Sequence, residues 1–267
     1  MLAVAVFVAV PANTLASDKN DKKSKESARI DAPLNLAVLI QDDLVSRVGN
    51  ELKVTRDFIR SLPAGSRVMV GYITSGSLQV RQPFTDDLDK AAGSLRTPIG
   101  SDAVSPYNPY VEVVEALKKF EGEGKNRNVV LLVSDGLDAS RGLDVSSTMD
   151  SIDLRRAINE ANRRNVTIYS FYAPTVGLTS QSRMLAGYGQ SALNRLSNET
   201  GGRAFFQGTG APVSLDQYLR ELDALLSRQF ALTYLSTHPD KGFHKVRVVA
   251  NTGDAEIFYP KGYTYKK

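Results

Sequence analysis

Residues 34–43 read LNLAVLIQDD, and residues 128–138 read NVVLLVSDGLD. Both stretches begin with a nearly continuous apolar run and end in acidic residues. A short apolar run of this kind is typical of a strand that is buried on both faces of a parallel sheet. The polar endings would then lie at the carboxyl ends of the strands, which is where open α/β sheets bind their ligands. The two stretches therefore predict both a class of fold and the place of a site.

Further strands and helices alternate with these two runs. Residues 67–74 (RVMVGYIT) and 166–172 (VTIYSFY) are predicted as buried strands, and residues 203–206 as a short one. The first predicted helix carries apolar-face residues three and four positions apart: Val48, Leu52, Thr55, Ile59 and Leu62. That spacing places them on one face of a helix. Five alternations of strand and helix predict a doubly wound, Rossmann-like α/β fold with a mainly parallel sheet covered on both faces.

Local signals predict the connections between these elements. Residues 78–82 follow a Ser-Gly turn and are predicted as an antiparallel edge strand. Thr85 or Asp86 is predicted to cap a short helix. Residues 173–189 are rich in Gly, Ser and Thr, and we expect a long loop there, followed by a helix over residues 191–199.

The end of the chain has a different pattern from the body. Residues 32–228 are predicted to form the α/β domain, and residues 229–267 a short C-terminal antiparallel β extension. Residues 230–236 and 243–250 flank a turn sequence and predict a β-hairpin. A further strand is predicted over residues 255–259.

The first residues suggest export from the cytoplasm. Residues 2–10 (LAVAVFVAV) form an apolar run that is too short to span a bilayer. Thr14 and Ala16 resemble the small residues of a signal-peptidase site, which predicts a signal peptide over residues 1–16, although no Lys or Arg precedes the run. The alternative is a buried first strand. Residues 17–31 are polar and charged, and they predict a disordered linker to a domain that is exported to the periplasm or the extracellular space.

Composition excludes several classes of function. The chain of 267 residues has 33 Lys and Arg against 29 Asp and Glu, a formal net charge of +4. The two signs are interspersed without a basic stripe, so we expect no nucleic-acid partner. There is no cysteine, which excludes thiol catalysis, disulfides and thiolate zinc sites.

Oxygen-bearing side chains follow three predicted strand ends. They are Gln41, Asp42, Asp43, Ser105, Asp135 and Asp138. Carboxylates and hydroxyls that converge from several loops suit a hard divalent cation such as Mg²⁺. A purely structural role is the alternative, since Asp42 and Asp43 could cap the helix that follows them. Asp135 with Gly136 could likewise form only a tight turn.

These segments carry a resemblance to a known family. The chain resembles the von Willebrand factor A (VWA) domain, in the exported bacterial branch called VWFA-related proteins. The similar stretches are residues 36–43, 57–72 (DFIRSLPAGSRVMVGY), 84–87 (FTDD), 129–138, 196–206 (LSNETGGRAFF) and 229–263 (QFALTYLS…GFHKVRVVA…KGY). They cover most of the chain from residue 34 onward, and their order and spacing carry the resemblance because SDG alone is common.

The resemblance implies a metal-ion-dependent adhesion site whose first loop reads Asp-x-Ser-x-Ser. Without a gap, these positions are Gln41, Asp43 and Val45; with a slip of one residue they are Asp42, Leu44 and Ser46. Ser105 or Thr97 stands where the second loop normally has Thr. The Asp of the third loop matches Asp135, and Asp138 lies one turn away. The resemblance therefore implies a degenerate form of the site that retains part of the oxygen ligand set for Mg²⁺.

The enzyme classes that share this pattern lack required residues. A haloacid-dehalogenase-type phosphatase needs a second Asp two residues after its nucleophile, and Leu44 and Val45 occupy those positions. A serine hydrolase needs a positioned His, and His238 and His244 both lie in the C-terminal extension. We therefore expect a non-catalytic, adhesion-like module that binds an unidentified protein or matrix ligand and has no stable membrane span. The alternatives are a metal-free scaffold subunit of an envelope assembly and, more remotely, a Mg²⁺-dependent phosphatase-like hydrolase.

Overall fold

The computed structural model describes most of the chain. The described residues are 2–9, 33–45, 51–120, 126–144, 148–212, 214–236, 240–248 and 257–265. The predicted linker over residues 17–31 lies outside them, as does Ser46 of the slipped first-loop alignment.

The first elements in chain order are β1 (Leu2–Ala9), β2 (Leu34–Gln41), α1 (Glu51–Arg60), β3 (Arg67–Thr74), β4 (Ser77–Thr85), α2 (Leu88–Gly93), α3 (Pro109–Leu117), β5 (Arg127–Ser134) and α4 (Ile152–Arg163). A short 3-10 helix, Asp102–Val104, precedes α3. The remaining elements are β6 (Val166–Tyr172), α5 (Leu178–Gln181), α6 (Arg183–Glu199), β7 (Ala204–Phe205), α7 (Asp216–Leu226), β8 (Gln229–Ser236), β9 (Gly242–Lys245) and β10 (Gly262–Tyr265).

A six-stranded sheet forms the centre of the domain, with the order β4-β3-β2-β5-β6-β7. All neighbouring strands are parallel except β3 and β4, which form the antiparallel edge predicted from the turn at Ser75. Numbered within this sheet alone, the order is 3-2-1-4-5-6, in which the strand order reverses beside β2 and β5. The predicted doubly wound, mainly parallel α/β fold is confirmed.

Helices cover both faces of the sheet because its strands are apolar on both sides. On β2, Leu36 and Val38 join the core that also contains apolar residues of α1, α2 and α7. Ala37 and Leu39 point the other way, into the core that contains residues of α3, α4 and α6. Successive side chains of a strand alternate between faces, so one uninterrupted apolar run serves two cores.

The cap of α2 differs by one residue from the prediction. Asp87, rather than Thr85 or Asp86, is the N-cap, and its carboxylate accepts a 2.9 Å hydrogen bond from the Lys90 amide. Thr85 supports this turn because its Oγ1 accepts a hydrogen bond from the Asp87 amide. All three residues have capping side chains, so composition alone does not distinguish among them.

The predicted long loop over residues 173–189 is wrong in its second half. Two helices, α5 and α6, occupy residues 178–181 and 183–199, and the Ser182 side chain caps the second of them at the Leu185 amide. Gly187 and Gly189 suggested a loop because glycine destabilises a helix interior. Gly189 is needed inside this helix because a Cβ there would lie 2.0 Å from the Asp135 carbonyl oxygen.

The antiparallel extension is present, but its pairing differs from the predicted hairpin. Strand β8 pairs with β1, from Leu2 opposite Ser236 to Ala9 opposite Gln229, and β9 pairs with β10. The prediction of a hairpin between residues 230–236 and 243–250 is therefore wrong. A local turn signal does not specify register when more distant strands compete for the same edge.

The last predicted strand is also displaced. Residues 257–259 do not form it, and the described strand begins at Gly262. Pro260 makes only an isolated bridge, to Thr200. The boundary between the α/β domain and the extension at residue 229 stays a prediction.

Within the predicted signal peptide, residues 2–9 form strand β1. A strand at this position matches the alternative interpretation of the apolar run. Strand formation does not bear on cleavage, so the signal peptide stays a prediction. Among the residues that the structure describes, no helix is long and apolar enough to cross a membrane.

Candidate functional site

The carboxyl ends of β2 and β5 are joined by side-chain hydrogen bonds. Gln41, the last residue of β2, accepts a 2.5 Å hydrogen bond at Oε1 from the Ser134 hydroxyl and one of 3.3 Å from the Asp135 amide. Ser134 Oγ accepts in turn from the Gly136 amide at 2.9 Å. Because both strands end at the same edge of a parallel sheet, the two loops that follow them meet here.

Asp43 is buried at this junction without hydrogen-bond partners for its carboxylate. Its side chain is fully enclosed, and among the described residues neither carboxylate oxygen has a partner of normal hydrogen-bond geometry. Burial raises the pKa of Asp43, while Ser105 and Gln41 lie close enough to oppose that shift. A buried carboxylate without a partner is costly when ionised, so a proton or a cation is expected to accompany Asp43.

Asp135 lies beside Asp43 and is also buried. Its Oδ1 accepts a 3.1 Å hydrogen bond from the Leu137 amide, and its Oδ2 one of 3.0 Å from the Thr179 hydroxyl. Burial raises the pKa of Asp135 to about 7, and the nearby charge of Asp43 adds to the rise. The two carboxylates therefore favour binding a positive charge between them.

The second loop contributes Ser105 and closes one side of an open cleft. The cleft has a volume of about 380 Å³, and Gln41, Ser105 and Asp135 are among the residues that line it. Ser105 follows the 3-10 helix, whose N-cap is Ser101. Thr97, the alternative to Ser105, is exposed and is not among the lining residues. The structure thus brings Gln41, Ser105 and Asp135 together with the buried Asp43.

Large apolar side chains are exposed at the rim of the cleft, together with the polar Asp102 and Gln181. Tyr107 is 71% exposed and Leu178 is 42% exposed, and both line the cleft. Large exposed apolar side chains beside a polar floor are typical of recognition surfaces.

The side chain of Asp42 makes a different set of contacts. Both of its carboxylate oxygens accept hydrogen bonds of 2.6 Å from Arg96, and Oδ1 also accepts from the Ile99 amide. The Arg96 guanidinium lies 3.9 Å from the centre of the Tyr72 ring, and the Tyr72 hydroxyl donates to the Arg96 carbonyl at 2.6 Å. Asp42 therefore anchors the loop that leads to Ser105, and it does not cap the helix after β2.

Asp138 is buried between Leu137 and Ala139, which line the cleft, and is not itself among the lining residues. Its Oδ1 accepts hydrogen bonds from the amide and the hydroxyl of Ser140, and its Oδ2 has no partner among the described residues. This arrangement fixes the turn after β5.

Two residues of the site had no clear signal in the sequence. Thr179 lies in the segment predicted as a loop, and its hydroxyl reaches both Asp135 and the Thr175 hydroxyl. Arg96 is 54 positions away from its partner Asp42. Each contact depends on how distant loops meet.

The oxygen donors fit a divalent cation. Asp43 offers two oxygens without partners, Asp135 lies near it, and Ser105 offers a hydroxyl oxygen, whereas the Gln41 amide oxygen already accepts hydrogen bonds from Ser134 and the Asp135 amide. Carbonyl, carboxylate and hydroxyl oxygens are the ligands that Mg²⁺ and Ca²⁺ prefer. Among the described residues, no group of three or more His, Cys, Asp or Glu side chains is arranged to hold a metal. A cation here would depend on the Ser105 hydroxyl as well as on the two carboxylates, and Gln41 would join them only by exchanging its hydrogen bonds to Ser134 and Asp135.

The remaining catalytic candidates lie elsewhere. His244 is on β9, where its ring stacks on Tyr263 and a ring nitrogen lies 2.8 Å from the Asp240 carbonyl oxygen. His238 lies outside the described residues. The residues that line the cleft include no histidine, lysine or arginine.

Comparison with known proteins shows likeness of structure at low sequence identity. An aerotolerance-related membrane protein from Bacteroides fragilis is similar with a TM-score of 0.46 and 10% identity, over 72% of this chain and 98% of that one. A von Willebrand factor type A protein from Catenulispora acidiphila is similar with a TM-score of 0.48 and 14% identity, over 88% and 56%. No protein-family model and no curated protein matches the sequence. Likenesses at this level of identity concern the fold alone.

Proposed function

We propose that this chain, whose fold is of the von Willebrand factor A type, is a non-catalytic protein-interaction module. Its recognition surface is the cleft at the carboxyl ends of β2 and β5. The observation that supports this most directly is the combination of a polar floor with large exposed apolar side chains at the rim. Gln41, Ser105 and Asp135 supply the floor, and the exposed Tyr107 and Leu178 supply the rim.

A divalent cation such as Mg²⁺ completes the floor in this proposal. Asp43 and Asp135 would hold it together with Ser105, as a degenerate version of the adhesion site that the sequence resemblance implies, and Gln41 would join them by exchanging its hydrogen bonds to Ser134 and Asp135. When bound, the cation supplies positive charge that attracts an acidic or carbonyl group of a partner. Asp42 and Asp138 support the loops, since their described contacts are to Arg96, Ile99 and Ser140.

The non-catalytic part of the proposal rests on what surrounds the carboxylates. A phosphatase of the haloacid-dehalogenase type would need a general acid two residues after Asp43, where the chain has Val45. Both carboxylate oxygens of Asp135 accept hydrogen bonds, from the Leu137 amide and the Thr179 hydroxyl. A carboxylate fixed in this way is better suited to bind a cation than to act as a nucleophile. Export, with cleavage after Ala16, remains part of the proposal because it would place the cleft in contact with envelope or extracellular partners.

A photo-crosslinking experiment tests the recognition surface. Benzophenone-alanine would replace Tyr107 on the cleft rim, or the exposed Arg81 on strand β4 as a control, in the full chain incubated with envelope extract. We expect a discrete crosslinked protein from position 107 and not from position 81, and we expect its loss with Leu178→Asp. Equal crosslinking from both positions, or none from position 107, contradicts the proposal.

A second assay tests the absence of catalysis. The purified chain with Mg²⁺ is expected not to hydrolyse small phosphate esters above the rate of an Asp43→Asn variant. Hydrolysis that Asp43→Asn abolishes would contradict the interaction proposal and support the phosphatase-like alternative.

A further inference from the structure

A second groove lies on the outer side of α4, apart from the cleft. It has a volume of about 620 Å³, and no residue lines both cavities. One wall is the exposed stripe of α4, and Phe243 of β9 stands opposite. The residues of α4 that line the groove are Ile152, Arg155, Arg156, Asn159, Glu160 and Arg163. Most of them lie three or four positions apart, so they share one face of the helix.

The groove is positively charged. Three arginines and one glutamate line it, a formal charge of +2. Glu160 is already engaged, because hydrogen bonds from Arg163 hold its pKa at about 2 and Arg164 binds the same carboxylate at 2.6 Å. Arg155 lies 3.7 Å from Asp150, which is shared with Arg195. Glu160 and Asp150 are therefore each divided between two guanidinium groups.

Arg156 stands out within this set. It is exposed, and among the described residues no carboxylate lies within 4.0 Å of its guanidinium group. A guanidinium group presents its donors in a planar fork that matches a carboxylate through two hydrogen bonds. An unpaired arginine between Arg155 and Arg163 is thus available to an external carboxylate.

The groove also has two exposed apolar residues. Ile152, at the start of α4, is 50% exposed, and Phe243 of β9 is 49% exposed. From Ile152 to Arg163 the helix runs about 16 Å, at about 1.5 Å per residue, which an extended peptide spans with about five residues at about 3.3 Å each. The surface therefore matches a short segment that carries carboxylates along its length and an apolar side chain near one end.

We propose that this groove is a docking site for an acidic, extended peptide segment of a protein partner. Arg156 and its neighbours pair with the carboxylates of the segment, and Phe243 with Ile152 contacts its apolar side chain. The proposal is independent of the cleft, so the two surfaces can be tested separately.

Isothermal titration calorimetry with a defined probe tests the docking site. The probe is a synthetic six-residue peptide, EDFEDL, blocked at both ends, and the comparator is QNFQNL, which has the same shape without the charges. The full-length chain should bind the first peptide and not the second.

Arg156→Glu should weaken binding at least about tenfold, because it replaces a charge-assisted hydrogen bond with a repulsion. Arg81→Glu, which makes the same charge change on an exposed arginine of β4, should change binding less than about twofold, since it lies outside the groove.

Two further measurements complete the test. Phe243→Ser should weaken binding of EDFEDL, and thermal unfolding of the variant checks that losing the contact between the ring and Gly262 leaves the chain folded at the titration temperature. Asp135→Ala should leave binding unchanged, which separates this surface from the cleft. The proposal is overturned if neither peptide binds, if Arg156→Glu and Arg81→Glu behave alike, or if a ten-nucleotide oligothymidine binds the groove more tightly than EDFEDL.

Discussion

Arg96 donates hydrogen bonds of 2.6 Å to both carboxylate oxygens of Asp42, whose side chain is completely buried. The same arginine stacks on the Tyr72 ring, and the Gly100 amide donates to the Asp42 carbonyl oxygen. One ion pair thus fixes the end of β2 to the start of the second loop, which leads on to Ser105. The geometry of the cleft depends on this pair although neither residue lines the cleft.

Removing the arginine should destabilise the fold strongly. Arg96→Met leaves Asp42 buried and without its cation, so we expect the free energy of unfolding to fall by about 3 to 5 kcal/mol in urea denaturation. Arg60→Met removes an arginine paired to the largely exposed Asp89 and should cost less than about 1 kcal/mol. Similar losses in the two variants would show that the Asp42 pair does not organise the strand end.

Stability should fall as the pH rises through the pKa of Asp135. Its pKa is raised from 3.8 to about 7, so the folded chain holds a proton that the unfolded chain releases above about pH 4. The contribution of this group is fully present below pH 4 and is lost as the pH approaches and passes about 7. With a chelator present, urea denaturation across this range should show a loss on the order of 4 kcal/mol from this group.

Asp135→Asn is the matched variant for that pH dependence. Asparagine keeps an acceptor for the Leu137 amide or the Thr179 hydroxyl and cannot ionise, so its stability should vary less between pH 4 and pH 8. It should also exceed the wild type in stability at pH 8. A variant with the same pH profile as the wild type would exclude Asp135 as the titrating group.

Gly189 should tolerate no side chain, in contrast to a neighbouring glycine of the same helix. A Cβ at Gly189 would lie 2.0 Å from the Asp135 carbonyl oxygen, whereas one at Gly187 has no atom within 4 Å. Gly189→Ala should therefore cost about 3 kcal/mol, as overpacking does. Gly187→Ala should stabilise by about 0.5 to 1 kcal/mol, because alanine is the better helix former. The measurement is the thermal unfolding temperature of each variant. A shift of both temperatures in the same direction would contradict this packing.

Magnesium should stabilise the chain through the cleft. At a Mg²⁺ concentration about 100-fold above Kd, binding adds about 2.7 kcal/mol to the free energy of unfolding. We expect the rise in Tm with Mg²⁺ to disappear in Asp135→Ala and to persist in Asp89→Ala, which removes an exposed acid of α2. A flat response of the wild type would support the metal-free scaffold alternative.

The sequence predicted the sheet well because its strands are unusually clear. The apolar runs at β2 and β5 end at Gln41 and Ser134, and two of the acidic residues after them, Asp43 and Asp135, lie near each other, whereas Asp42 and Asp138 make contacts elsewhere. Periodicity and composition are local signals. A strand that is buried on both faces is apolar at nearly every position, so these local signals are enough to predict it.

The remaining features depend on contacts between distant segments. Gly189 indicated a loop because glycine has a low helix propensity, which is a local property of the sequence. The reason that glycine is needed there is the close approach of the Asp135 carbonyl, which belongs to a distant segment and gives no local signal. The pairing of Asp42 with Arg96, and of β8 with β1, joins residues that are far apart in the chain. Such partners are chosen by packing and register, which single-sequence patterns do not carry.

The most direct test of the central claim is a crystal structure of the full chain grown with Mn²⁺ and measured at the manganese absorption edge. We predict one strong anomalous peak between the Asp43 and Asp135 carboxylates, within about 2 to 2.5 Å of at least one oxygen of this cluster. An anomalous map without a peak there, with Asp43 and Asp135 still adjacent, would contradict the claim that the strand ends form a cation-dependent recognition site.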